Sequence, residues 1–232
     1  MKMLSPHAAR PGTLALLAAL CLAGAVPGVR AQGAAECGSL ANPYGPYDYR
    51  NQRDKIKAVE DYHFFPAVET MMRPTGGIFG DMDYTLRAAP NHHRALVALA
   101  GYSERTKADT LGPYRSIDCY FDRAMRFAKD DPIVRMIYAG HLGRTNRRAQ
   151  AMAQLDYVVQ IAGENAFTHY NAGLIYLEIK QYDKALQQAH VAMQLGLPRT
   201  ELRDALKKAG KWTEPAPAAT PAEAASAAAP AS

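Results

Sequence analysis

Residues 132–165 and 166–199 align with one another at an offset of 34. At that offset Ala139 falls on Gly173, Leu142 on Tyr176, Ala151 on Ala185, Leu155 on Ala189, Val158 on Ala192 and Ile161 on Leu195. Every one of these positions is small or apolar in both copies. A period of this length marks stacked supersecondary units, none of which can bury its apolar face alone. The helical spacing of the marks predicts an all-α chain.

The second copy shows why each mark is there. Gly173 and Ala139 stand where two antiparallel helices approach most closely, and a larger side chain would hold them apart. Ala185 and Ala151 do the same on the following helix, and Tyr176 fills the gap between them. The run Tyr170-Asn171-Ala172-Gly173-Leu174-Ile175-Tyr176, followed by Tyr182-Asp183-Lys184-Ala185-Leu186, resembles the tetratricopeptide repeat. His169 stands where that family often has Trp, and Pro198 comes one residue late. The resemblance is specific over residues 132–198, weaker over 90–131, and does not reach the N-terminal region.

The resemblance implies a right-handed α-solenoid of antiparallel helix pairs with a C-terminal capping helix. It implies a concave face lined by the first helix of each pair, able to take an extended peptide or a partner helix. By that analogy the lining residues are His92, Leu99, Tyr102, Met136, Arg144, Tyr170, Asn171, Leu174 and Glu178. Asn171 can bond a peptide backbone as donor and acceptor, Arg144 can take a carboxylate bidentately, and the tyrosines offer apolar area with a polar tip. Against this, tyrosines in such repeats are core residues more often than ligand contacts. Self-association through the same groove is a further possibility.

Upstream, residues 118–127 read as a second helix of the same type, ending at Asp130-Asp131-Pro132, an acidic cap followed by proline at the first helical position. Its partner is a helix over 92–105, capped by Asn91. Residues 106–115 between them form an insertion that carries Gly112-Pro113. Residues 54–72 and 81–89 read as two more helices, a degenerate first pair. Downstream, residues 200–209 place Leu202, Ala205, Leu206 and Ala209 on one face and polar groups on the other, as a terminal cap requires.

The two ends differ from this body. Lys2 and Arg10 precede an apolar run of 13 residues, 14–26, which Pro27 and Gly28 close. That order is a secretory signal peptide, with cleavage expected near Ala31, and the run is short of the roughly 20 residues that span a bilayer. Cleavage takes Lys2, Arg10 and Arg30, so 27 basic against 22 acidic residues become 24 against 22, +2 in place of +5. A mature charge so small, with only Arg144, Arg147 and Arg148 clustered, argues against nucleic-acid binding. The organisation expected is a signal peptide at 1–31, an N-terminal extension with a degenerate helix pair at 32–89, the solenoid with its cap at 90–212, and a disordered Ala/Pro-rich tail at 213–232. The compartment expected is periplasmic or extracellular.

Export leaves Cys37 and Cys119. In an oxidising compartment they can pair, tying the extension to the body, or remain two separate thiols. The stretch Tyr44-Gly45-Pro46-Tyr47-Asp48-Tyr49 cannot be helical. It reads either as a cap on the first helix, pinned by Cys37, or as a strap that binds a partner.

No phosphate loop, nucleophile elbow, metalloprotease motif or Cys-x-x-Cys pair is present. The expectation is a non-catalytic scaffold or adaptor without a cofactor, holding a protein or peptide segment within an envelope assembly. The alternative is a metal- or small-ligand-binding helical protein that uses His92 and His93 with Asp81 and Asp83. Adjacent residues of a helix point about 100° apart, which places His92 and His93 poorly for one ion. Asp81-Met82-Asp83 lacks the glycine and distal glutamate of a calcium loop. His63, Glu60 and Glu69 read as a solvated helix face.

Overall fold

The computed structural model describes residues 37–215; the signal-peptide reading at 1–31 and most of the tail reading lie outside them. Among the described residues the chain is all-helical: α1 Arg53–His63, α2 Pro66–Thr70, α3 Gly76–Ala88, α4 His93–Thr106, α5 Ile117–Phe127, α6 Pro132–Arg144, α7 Arg148–Ile161, α8 Ala166–Glu178, α9 Tyr182–Gln194 and α10 Glu201–Lys208. Consecutive helices pair as α4/α5, α6/α7 and α8/α9. The first members touch in the order α4, α6, α8, and α10 closes against α8 and α9. None of these helices is long and apolar enough to cross a membrane.

The small residues sit where the pairs meet. Ala139, Ala151, Ala172, Ala185 and Ala189 are buried together with Leu142, Leu155, Val158 and Tyr176. A Cβ on Gly173 would stand 2.5 Å from Leu202 Cδ2 and 3.2 Å from Gln188 Cβ, so a side chain there would make Leu202 of α10 shift. His169 is buried and paired at both ring nitrogens. Its Nδ1 meets Gln188 Oε1 at 2.7 Å and its Nε2 donates to the Gly163 carbonyl at 2.9 Å.

The N-termini of the helices differ in places from the sequence reading. Asp131 caps α6, its Oδ1 accepting from the Ile133 and Val134 amides. Helix α4 is capped by His92 rather than Asn91: His92 Nδ1 accepts the Ala95 amide at 3.1 Å. Asn91 is one residue outside, where its amide ties the extension down. Residues 54–72 do not form one helix, because Pro66 excludes helical backbone from the residue before it. Phe65 is extended at φ −78°, ψ 169°, and α2 starts afresh. Helix α3 begins at Gly76, earlier than Asp81, since Thr75 caps it by accepting the Ile78 amide. Helix α10 stops at Lys208 and leaves Ala209 exposed.

The aromatic stretch 44–49 lies across α1, α3 and α4 as a cap. Tyr47 N–H donates to the Ala88 carbonyl at 2.8 Å, and Tyr49 N–H to Asn91 Oδ1 at 3.0 Å. Asn91 Nδ2 in turn donates to Asp48 Oδ1 and Asp131 Oδ2. The Tyr49 ring is enclosed by His92 at 4.2 Å and the Arg53 guanidinium at 4.0 Å. The Arg50 guanidinium beside Asp48 holds that carboxyl well below the usual carboxylate range. At its start the extension is bonded covalently, Cys37 to Cys119. Beside the bridge Arg123, 1% exposed, donates from Nη1 to the carbonyls of Cys37 and Ser39. These contacts make the stretch part of the body rather than a free strap.

Candidate binding groove

An open, shallow face is shared by residues of α4, α6 and α8. On α6 its row is Ile133, Ile137, Gly140 and Arg144, with Gly140 buried, and on α8 it is Phe167, Asn171, Leu174 and Glu178. Both sets run at steps of four, three and four, which is one helix face. The 34-residue offset maps each set onto the other, so the same row of the repeat faces outward twice. Between them lies an open depression of about 420 Å³ bordered by Val97, Ile133, Met136, Ile137, Gly140, Arg144, Asn171, Leu174 and Ile175. Val97 is 56% exposed and Ile133 42%, large aliphatic side chains left in water. The lack of a side chain at Gly140 deepens the floor; a Cβ there would stand 3.1 Å from Arg144 Nη1.

Of the nine residues predicted to line a groove, Arg144, Asn171, Leu174 and Glu178 reach this surface, and Met136 borders it with 8% of its area exposed. Leu99, Tyr102 and Tyr170 are buried between helices, and His92 is wholly enclosed. Their correction has one cause. A helix between two neighbours buries well over half its circumference, so a stripe chosen by period alone slips onto the packed side. Tyr170 spends its hydroxyl on Glu201 Oε2 at 2.9 Å, and Tyr102 packs edge-on against Phe79.

Arg144 is not a free carboxylate receptor. Its Nε donates to Glu104 Oε2 at 2.7 Å and its Nη1 to Glu178 Oε1 at 3.1 Å, a ladder across α4, α6 and α8. Glu178 stood in the sequence reading as a separate groove residue, and Glu104 lies 40 positions away across an insertion of irregular length, so neither pairing was read from the sequence. Asn171 makes no side-chain hydrogen bond to another described residue.

The residues of the alternative reading are not brought together. His92 Nε2 faces Glu60 Oε1 at 3.1 Å, while His93 Nε2 faces Asp131 Oδ2 at 2.8 Å. Asp81 meets His63 Nδ1 at 2.8 Å. Asp83 is buried and accepts from Arg87, Arg115 and the Tyr120 hydroxyl. Glu60, His63 and Glu69 are likewise no mere solvated face; Glu69 takes both Arg94 nitrogens and so joins α2 to α4. Among the described residues no cluster of three His, Cys, Asp or Glu side chains is placed to hold a metal ion.

Burial pushes His92 down to about 3, helped by the nearby Arg53 and Arg94 charges, so its imidazole is neutral. Its Nδ1 accepts, so its Nε2 carries the proton and donates to Glu60. No protein-family model matches this chain, and no curated protein or solved structure matches it either.

Proposed function

We propose that this chain is an exported, tetratricopeptide-type solenoid that acts as a non-catalytic scaffold, holding a segment of a partner protein in the α4/α6/α8 groove. The observation that carries this is the outward row of aliphatic side chains, Val97, Ile133, Ile137, Leu174 and Ile175, around the unpaired amide of Asn171. Exposed aliphatics bordered by polar groups mark interaction surfaces, and a free amide can hold a partner's backbone in register. The repeat resemblance supports the solenoid, since the 34-residue offset relates equivalent positions of α6 and α8. The Cys37–Cys119 bond supports an oxidising compartment, in agreement with the signal-peptide reading.

The test is photocrosslinking with a reactive residue at position 133, in envelope extract, comparing the parent with Ile137→Asp and Leu174→Asp. Both side chains are partly buried against the core, so the helical content of each variant is measured alongside. A partner captured by the parent and lost from both variants supports groove binding. Equal capture by all three would sink it.

A further inference from the structure

Two departures from the 34-residue pattern meet at one cavity beside the groove, with Arg144 bordering both. The connections α6–α7 and α8–α9 span residues 145–147 and 179–181, whereas α4–α5 spans 107–116. The longer connection is firmly held: Leu111 is fully buried, its amide donates to the Arg115 carbonyl, and the Ile117 amide donates to the Asp109 carbonyl. It forms one wall of a cavity of about 480 Å³, and the C-terminal end of α6 forms the other. On that second wall stands His141, where the next copy has Ile175 at the same offset. The insertion and the histidine are each unneeded for the repeat, and both face the same space.

The histidine is 2% exposed and lines the cavity. Its Nδ1 lies 3.3 Å from Glu104 Oε1, and Glu104 is itself held by Arg144. A carboxylate only accepts, so Nδ1 carries the proton and Nε2 presents a lone pair. Nε2 is bonded to no described residue. Burial lowers the His141 basicity against the opposing pull of Glu104, which keeps that lone pair free.

On the neighbouring rim Arg147 Nη2 donates to Asp118 Oδ1 at 2.9 Å. Arg147 Nη2 also donates to the Tyr138 hydroxyl at 2.9 Å, and that hydroxyl in turn lies against the Asp118 carboxylate. Arg147 Nη1 makes no hydrogen bond to a described residue, so a ligand hydroxyl can accept from it and donate to Asp118, whose carboxylate can take more than one donor. Lys107, Arg144 and Arg147 stand against Asp109, Asp118 and the Glu104 that holds Arg144, so the charges balance and nothing favours a phosphate or dicarboxylate. Ala108, Ile117 and the apolar stems of longer side chains share the lining with polar groups, which suits a ligand that carries both. The volume falls in the range of small-molecule sites.

We propose that this cavity binds a small polyhydroxylated ligand of saccharide type, with His141 Nε2 and Asp118 accepting from its hydroxyl groups and Arg147 donating to them. The cavity shares Arg144 with the groove, but the proposal does not rest on the scaffold reading.

The test is a titration of the full chain with N-acetylglucosamine, glucose and ribose, followed by the imidazole nitrogen resonances. Inorganic phosphate and L-alanine serve as comparison probes. The expected result is a saturable shift of His141 Nε2 with at least one saccharide. Affinity should fall about tenfold in Asp118→Asn, the loss of one hydrogen bond to a charged group. Asp118 is about one-third exposed, so that variant should keep its fold, checked by helical content. No saturable shift with any saccharide overturns the proposal. So does a response to phosphate or alanine alone, or saccharide binding undiminished in Asp118→Asn.

Discussion

The Nδ1 atom of His92 accepts the Ala95 amide at 3.1 Å, and so the side chain that starts α4 does so as a neutral imidazole. Its basicity is lowered from 6.5 to about 3, chiefly by burial. The folded state therefore refuses a proton that the unfolded chain accepts below 6.5, and stability rises with pH across that window. Between pH 6.5 and about 4 the slope should reach up to about 1.4 kcal/mol per pH unit for this one proton. His141, lowered in the same direction, adds to it. Above 6.5 this contribution is level. His92→Asn keeps a capping oxygen and removes the titration, so its urea midpoint should vary less with pH than the parent's. An unchanged slope would mean that the window belongs to other groups.

The bond between Cys37 and Cys119 closes a separation of 82 residues. The chain-entropy model assigns such a loop about 4–5 kcal/mol. Cys37→Ser with Cys119→Ser should lower the urea midpoint toward that extent, and reductant should have no further effect on the double variant. The carbonyls that hold Arg123 lie beside Cys37, so the variant should also release the first residues of the extension to proteolysis.

Gly45 has φ +99°, and a Cβ there would stand 2.4 Å from the Ala88 carbonyl oxygen. Tyr47 donates its amide to that same oxygen. Gly45→Ala should cost about 2 kcal/mol or more, from a backbone region closed to L side chains together with a main-chain clash. Hydrogen exchange should localise the loss to residues 42–49 and to α3, and a uniform loss across the chain would contradict this.

Asp83 is 4% exposed and receives Arg87 Nε, Arg115 Nη1 and the Tyr120 hydroxyl. The Tyr120 phenol is pushed well up by its burial and by this carboxylate. Asp83→Ala strands two cations and a hydroxyl at α3, α5 and the connection before it, and should cost about 3 kcal/mol in thermal or urea unfolding. Dialysis against zinc or calcium should leave the difference between parent and variant unchanged. A metal-dependent difference would revive a ligand role for this carboxylate.

What the sequence by itself determined is local and periodic. The repeat at 132–198 marked two helix pairs over the stretch of α6 to α9, because small residues at helix crossings and a proline after an acidic cap act over a few positions. It marked Asp131 as a cap and the Tyr44–Tyr49 stretch as non-helical. The tertiary structure decided which flank of each first helix meets solvent. Leu99, Tyr102 and Tyr170 are buried while Ile133, Ile137 and Ile175 border the open face, because two neighbouring helices compete for each stripe and period does not say which wins. It also decided every pairing between distant side chains: Glu60 with His92, Glu104 with Arg144, Asp83 with Tyr120. Such pairs depend on where helices stop and how long the connections run, and the insertion at 107–116 breaks the register that would have carried them.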